Sequence, residues 1–343
     1  MASRWPLPAL FAALIAAPSA PSELVIVTDE AEAALHILEA RQALRPVTEE
    51  AWRRLFATEG YRRLRARETA MGRSFEDSSF RAFLLSDTLL PRTAALRRTL
   101  EAWRRADLGD ARDKARAYLP AGTRLRARVY LLIKPQDNSF VFEPATDPAI
   151  MLYLDPGRSR EQLENTIAHE VHHIGYAGAC ASAEDSTADP ADPAAAEARR
   201  WLGPFGEGVA MLAAAGGPEV HPHAVSPQSD RQRWDYDVAN AGADVRRLET
   251  FFLDILDRRL TDPDSTRRAA MAFFGVQGPW YTVGWLMAAT VERAEGRAAL
   301  VGMLCHPVRL LRGYNAAAVR ARPGEPSLPV WSDALLARLG GGR

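Results

Sequence analysis

Ser159-Arg160-Glu161-Gln162-Leu163-Glu164-Asn165-Thr166-Ile167-Ala168-His169-Glu170-Val171-His172-His173-Ile174-Gly175 is the stretch around which the rest of the chain is read. Ser159 with Gln162 three residues on forms a capping box, the start signal of a helix. Leu163, Ile167, Val171 and Ile174 recur at helical spacing, so one face is apolar and seeks a partner layer. Gly175 and Gly178 read as its stop. Within it, His169-Glu170-Val171-His172-His173 is an H-E-x-x-H motif. Residues four apart stand one above the other on a helix, so His169 and His173 can aim imidazole nitrogens at one point. Glu170 sits beside them, able to reach a water held there without being a ligand itself. The bland alternative is two surface histidines on an amphipathic helix.

The partner layer is readable upstream. Arg128–Ile133, Ser139–Phe142 and Ile150–Leu154 are rich in β-branched and aromatic residues and are separated by Pro, Asp and Asn turn signals. They predict a small sheet of about three strands ahead of the histidine helix. From Glu30 to Tyr118 apolar residues recur at three- and four-residue spacing, divided by Pro46, Gly60, Gly72 and Pro91 into several helices. The Arg62–Arg67 run reads as a solvated helix face. Downstream, an Ala/Asp/Pro-rich loop is expected at 181–196. Helices follow over Glu197–Trp201, Glu207–Ala215, Trp234–Leu260, Thr266–Phe274, Tyr281–Glu292 and Ala298–Leu304. The fold class is therefore α+β and mostly helical. Its organisation is a helical region at 21–120, a small sheet plus the histidine helix at 121–180, the loop at 181–196, and a helical region at 197–343.

A catalytic zinc takes three protein ligands and leaves one position open, so one zinc on His169 and His173 requires a third donor. The metzincin continuation fails, because Tyr176 and Ala179 stand where Gly and His are needed. Glu207 in Gly206-Glu207-Gly208-Val209-Ala210, 34 residues after His173, opens a new helix from which a carboxylate can point into a cleft. Glu197 and the pair His221 and His223 are its rivals, and a purely helix-starting Glu207 is the plain alternative. A developing oxyanion needs a further donor, for which Tyr281 and His306 are candidates. His172 is turned off the metal face and reads as a residue that either supports a ligand from behind or is structural. Asp237 and Asp244, seven apart on the expected long helix, are candidates to orient a zinc histidine.

These residues carry a resemblance. A helical H-E-x-x-H followed by E-G-x-A on a later helix resembles the gluzincin class of zinc metallopeptidases. More narrowly, Asn138–Phe142, Ala168–Gly175, Glu207–Ala210 and Tyr281-Thr282-Val283-Gly284 are similar to an uncharacterised bacterial family of zinc-dependent peptidases, over roughly residues 45–315. The resemblance implies a zincin-like sheet packed on the zinc helix, with an edge strand that takes an extended peptide. It also implies a helical second half that supplies the third ligand. Glu207 lacks the Asn and Ser-Asp that flank the thermolysin-type ligand, and the Gly-Met-Glu-Asn signature of aminopeptidases is missing.

The function expected is zinc-dependent hydrolysis of peptide bonds, with Glu170 as general base and a peptide or protein as substrate. A zinc hydrolase of a non-peptide amide and a non-catalytic binding protein with a relic site are the other readings. The 343 residues carry 43 basic and 43 acidic side chains, an even balance that argues against a nucleic-acid partner. Residues 1–20 carry one cation, Arg4, an apolar stretch from Leu7 to Ala17 and small residues at Ala17 and Ser19, the pattern of a secretory signal peptide. An uncleaved N-terminal anchor is the alternative. The chain is thus expected to be periplasmic or secreted, without stable membrane insertion once the leader is removed. Cys180 and Cys305 are either one disulfide or two buried thiols.

Overall fold

A computed structural model describes residues 23–184, 192–320 and 327–340. The expected leader at 1–20 lies outside the described residues, as does most of the loop expected at 181–196. Strand β1 (Glu23–Val27) leads into α1 (Asp29–Gln42), α2 (Glu49–Ala57), α3 (Glu59–Ala70), α4 (Asp77–Leu84), α5 (Thr93–Trp103) and α6 (Gly109–Arg116). Strands β2 (Arg126–Leu132), β3 (Phe140–Phe142) and β4 (Ala149–Tyr153) precede α7 (Arg160–Glu184) and α8 (Pro193–Arg200). The rest is helical: α9 (Gly206–Ala215), α10 (Gln228–Ala239), α11 (Ala241–Leu256), α12 (Pro263–Met271), α13 (Pro279–Glu295), α14 (Arg297–Met303), α15 (Pro307–Val319) and α16 (Asp333–Leu339).

The mostly helical α+β expectation holds, with one strand more than foreseen. The sheet order is β1-β2-β4-β3, with β1, β2 and β4 parallel and β3 antiparallel to β4. β1 falls in the region read as helical. Its Glu-Leu-Val-Ile-Val has a strand's composition, but it becomes an element only by pairing along β2, with Val25 opposite Arg128. Val129 to Leu132 and Ile150 to Leu152 are all buried, so both faces of the sheet are covered. α1 and α3 pack on β2, and α7 packs on β3 and β4.

Several boundaries differ from the sequence reading for identifiable reasons. α2 and α3 part at Thr58, not at Gly60, because the Thr58 hydroxyl accepts from the Tyr61 N–H and donates to the Leu55 carbonyl. The stretch from Trp234 to Leu260 is two helices, because Asn240 closes α10 by donating its side-chain amide to the Tyr236 carbonyl. α15 and α16 were not foreseen. The largest correction concerns α7. It begins with the expected capping box, Ser159 Oγ accepting from Gln162 N and Gln162 Oε1 accepting from Ser159 N. It then runs through Gly175 and Gly178 to Glu184. Gly175 is not a stop: a Cβ there would meet Leu119 Cδ1 at 2.2 Å and Leu125 Cδ2 at 2.8 Å. The glycine lets the helix lie close against the segment that enters β2, and that packing outweighs its helix cost of about 1 kcal/mol.

The extension of α7 carries Cys180 to Cys305, with Cα atoms 5.0 Å apart, and the two form a disulfide across 125 residues of sequence. The bond ties the histidine helix to the junction of α14 and α15. Closing a loop of that length removes about 4–5 kcal/mol of unfolded-state entropy in the chain-entropy account. Replacing both cysteines by serine is therefore expected to lower the unfolding free energy by about 3–5 kcal/mol, read in denaturant titrations. A loss below about 1 kcal/mol would show that the link does not constrain the unfolded chain.

The start of α1 organises the other side of the sheet. Asp29 accepts from the Glu59 and Gly60 N–H groups at the beginning of α3. Glu30 is fully buried and accepts from the Ile133 N–H at the end of β2, while its second oxygen has no partner among the described residues. Burial raises the Glu30 pKa to about 8, against the lowering effect of the Ile133 N–H. Between the ordinary 4.5 and about 8, the folded protein holds a proton that the unfolded chain gives up. The stability this confers is complete at acid pH and is lost as pH rises through about 8. Glu30→Gln keeps the acceptor and removes the titration. Its stability relative to wild type is expected to grow by roughly 2–4 kcal/mol between pH 5 and pH 8, and a pH-independent difference would overturn the assignment.

Candidate metal centre

Three elements converge on one point. α7 presents His169 and His173 on adjacent turns of one face, their rings 4.6 Å apart at 83°. α9 presents Glu207 from its first turn, after the short 3-10 turn Gly203–Phe205. The two Nε2 atoms are 3.0 Å apart, and Glu207 Oε2 is 3.2 Å from His169 and 3.1 Å from His173. Donor atoms bound to zinc at about 2.0–2.1 Å in tetrahedral geometry stand roughly 3.3 Å from one another. The His169, His173 and Glu207 donors thus form a near-equilateral triangle of the right size and chemistry for zinc, and these three are the set able to hold a metal ion among the described residues.

The electrostatics of the cluster ask for positive charge. Burial pushes the Glu207 carboxyl up, but the charges of His173 and His169 and their hydrogen bonds outweigh it and hold the group well below its usual range. Burial pushes the His173 imidazole down, yet Glu207 and Glu170 carry it up to about 9. A carboxylate sunk between two imidazoles takes either a proton or a cation. Glu170, the next residue on α7, is only 8% exposed. Burial and the Glu207 charge raise its pKa, while His169 and His173 oppose them.

Tyr281, on the first turn of α13, lies over the same cluster, its ring 6.3 Å from that of His169 and nearly parallel to it. Burial first, then the charges of Glu207 and Glu170, keep its hydroxyl protonated by raising its pKa. Phe274 stands edge-on to Tyr281 at 6.4 Å, a cleft residue that sequence reasoning missed because nothing in its local pattern separates it from a core aromatic.

The other candidates are engaged elsewhere. Glu197 accepts from Arg200 and from the Trp201 indole. His221 bonds Asp235, and His223 bonds Ser226. His306 stands at the N-terminal end of α15 beside the disulfide, and among the described residues no hydrogen bond or ring contact joins it to the cluster. His172 is buried and off the cluster, with burial lowering its pKa to about 3. Asp237 and Asp244 do not share a helix. Asp237 pairs with Arg233 and Asp244 with Arg247, while His169 Nδ1 is buried with no partner among the described residues.

What holds Glu207 level with Tyr281 is a contact between backbones. A Cβ on Gly208 would fall 2.0 Å from Trp285 N and 2.3 Å from Gly284 C, and a Cβ on Gly284 would fall 2.5 Å from Phe205 O. α9 and α13 therefore cross with nothing between them at the turn that follows Glu207. Trp280, fully buried among Phe205, Phe251, Phe252 and Phe273, anchors the start of α13 and donates its indole N–H to the Ala270 carbonyl.

A long helix with paired histidines, packed on a small mixed sheet and completed by a glutamate from a following helix, brings together a donor set suited to a metal ion. The chain belongs to the DUF5700 family, described as "putative zinc dependent peptidase", whose profile matches residues 52–322. No curated protein and no solved structure matches it.

Gly208→Ala is expected to lower the unfolding free energy by about 1–3 kcal/mol or more, since backbone atoms cannot yield as side chains do. Gly178→Ala, with nothing within 4 Å of its added methyl, is expected to stabilise α7 by up to about 1 kcal/mol. Thermal unfolding of the two variants checks both, and a neutral Gly208→Ala would refute the close crossing.

Proposed function

We propose that this protein is an exported zinc metallopeptidase of the gluzincin kind, with His169, His173 and Glu207 holding one zinc. The observation that carries the reading is the triangle of His169 Nε2, His173 Nε2 and Glu207 Oε2, with edges of 3.0, 3.2 and 3.1 Å, beside an otherwise unused buried carboxylate, Glu170. When bound, zinc supplies Lewis acidity that draws the pKa of water towards about 7 and polarises a carbonyl.

Glu170 takes the proton of the attacking water on its carboxylate and passes it to the leaving amine. Its burial favours this traffic, because a desolvated carboxylate is a stronger base than one in water. Tyr281, kept protonated, donates a hydrogen bond to the carbonyl oxygen as negative charge develops there. β3 is the outer antiparallel strand of the sheet and packs against α7. An extended peptide adding to that edge would run past the cluster with its backbone hydrogen-bonded.

Export is supported by the leader pattern of residues 1–20 and by the Cys180–Cys305 disulfide, a bond of oxidising compartments. No helix among the described residues is long and apolar enough to cross a membrane. The even charge balance argues against a nucleic-acid partner.

The reading is tested by metal analysis and peptide hydrolysis together. Wild type is expected to purify with one zinc per chain and to lose activity to a chelator. Glu170→Gln is expected to retain zinc and lose at least about a hundredfold in kcat/KM. Glu207→Ala is expected to lose zinc on dialysis. Absence of zinc from the wild type would sink the proposal, and unchanged occupancy in Glu207→Ala would move the third ligand elsewhere.

A further inference from the structure

The wall that carries Tyr281 does not end at the metal cluster. Tyr281 and Trp285 are four apart on α13 and share a face. From Trp285 the aromatic packing passes inward to Trp234 on α10, 5.8 Å away, and from Trp234 to the buried His223, 5.2 Å away. The segment before α13 joins the same wall, with Phe274 standing edge-on to Tyr281. This surface forms one wall of a groove of about 260 Å³, lined by Val220, Pro222, Trp234, Asp235, Val238 and Trp285.

α9 and α13 run in parallel beside it. Gly208 meets Gly284 at one end, and Arg293 bonds Glu219 and the Pro218 carbonyl at the other. The groove therefore starts at the level of Glu207 and extends about 12 Å along α13, the rise of the eight residues from Trp285 to Arg293. That length suits a substrate side chain a few residues from the bond beside Glu170.

The chemistry of the groove selects what enters it. Its floor is indole, valine and proline, and its rim carries two carboxylates, Asp235 at 62% and Glu219 at 80% side-chain exposure. Arg293 engages Glu219 and stands 6.0 Å over the Trp285 ring, so this indole already receives a guanidinium. Asp235 bonds only the His221 imidazole and remains open to a cation from solvent. Trp285 Nε1 is buried with no acceptor among the described residues, a donor that a backbone carbonyl of a bound peptide would satisfy.

We infer that this groove is the specificity subsite of the metal cleft, and that it takes a lysine or arginine side chain of an extended peptide. The aliphatic stem would lie along Val220, Val238 and the indoles, with the cationic head at Asp235. The inference rests on the peptidase reading for its substrate class, but the groove itself can be tested without turnover.

The test measures binding of fluorescein-labelled alanine-rich peptides, each with a single Lys, Ala or Glu at successive positions, to the zinc-loaded Glu170→Gln protein by fluorescence anisotropy. Wild type is assayed in parallel for cleavage of the same peptides. At one position Lys is expected to bind best and Glu worst. Asp235→Asn, which keeps the acceptor for His221, is expected to reduce the Lys-over-Ala ratio about fivefold, the worth of one partly exposed ion pair. Glu219→Gln provides a second variant on the same rim. Equal binding of the three peptides, or a Lys preference untouched by both variants, overturns the subsite. Lys-selective binding that Asp235→Asn weakens, with no cleavage by wild type, leaves the subsite standing and removes the peptidase reading.

Discussion

The approach of α9 to α13 at Gly208 and Gly284 is the contact on which the candidate metal centre depends. Two helices with ordinary side chains stand 8–10 Å apart. Here the backbones meet directly, because neither glycine has a side chain to hold the other off. Glu207 lies one residue before this crossing and Tyr281 three residues before it, so the contact fixes both against the histidines of α7. α9 is buried along nearly its whole length, between α7 and α13, and has no freedom to shift towards solvent. The position of one carboxylate oxygen, about 3 Å from two imidazole nitrogens, is thus the result of packing at glycines that touch no ligand.

Burial acts in opposite senses at two places. Glu30 is sunk in the scaffold with a single N–H for company, so desolvation dominates and the group holds its proton. Glu207 is only partly buried, its side chain 20% exposed, and the two imidazoles beside it outweigh the desolvation so that it remains ionised. The cluster therefore holds a carboxylate fixed between imidazoles in a partly desolvated setting, where electrostatic interactions are strengthened. Glu170 and Tyr281 stand at its edge in the protonation tendencies that suit a base and a hydrogen-bond donor. The Cys180–Cys305 link extends this organisation to the far end of α7, joining it to α15, which packs on α13.

Glycine was the residue type most easily misread. Gly175 and Gly178 looked like a helix terminus because glycine weakens helices. At Gly175 the missing side chain instead admits Leu119 and Leu125. Gly208 and Gly284 were visible within the stretches that carry the family resemblance, yet nothing local pairs two small residues 76 positions apart. β1 was lost for a related reason: five residues next to a leader-like segment become a strand only when β2 lies alongside them. The break at Asn240 depends on a single side-chain cap, which a continuous apolar period conceals.

The sequence by itself determined the local part of this protein: the capping box, the helix it starts, the two histidines on one face and the glutamate between them. Each follows from residues within one or two turns of each other, where spacing is geometry. It also nominated Glu207 and Tyr281, but among several rivals, since a third ligand arrives from another element and spacing along the chain says nothing about distance through space. Only the tertiary structure brought Glu207 to the histidines, paired His221 with Asp235 and His223 with Ser226, left Asp237 and Asp244 with arginines and joined the two cysteines. Those outcomes rest on long-range packing, and here that packing is governed by where side chains are absent.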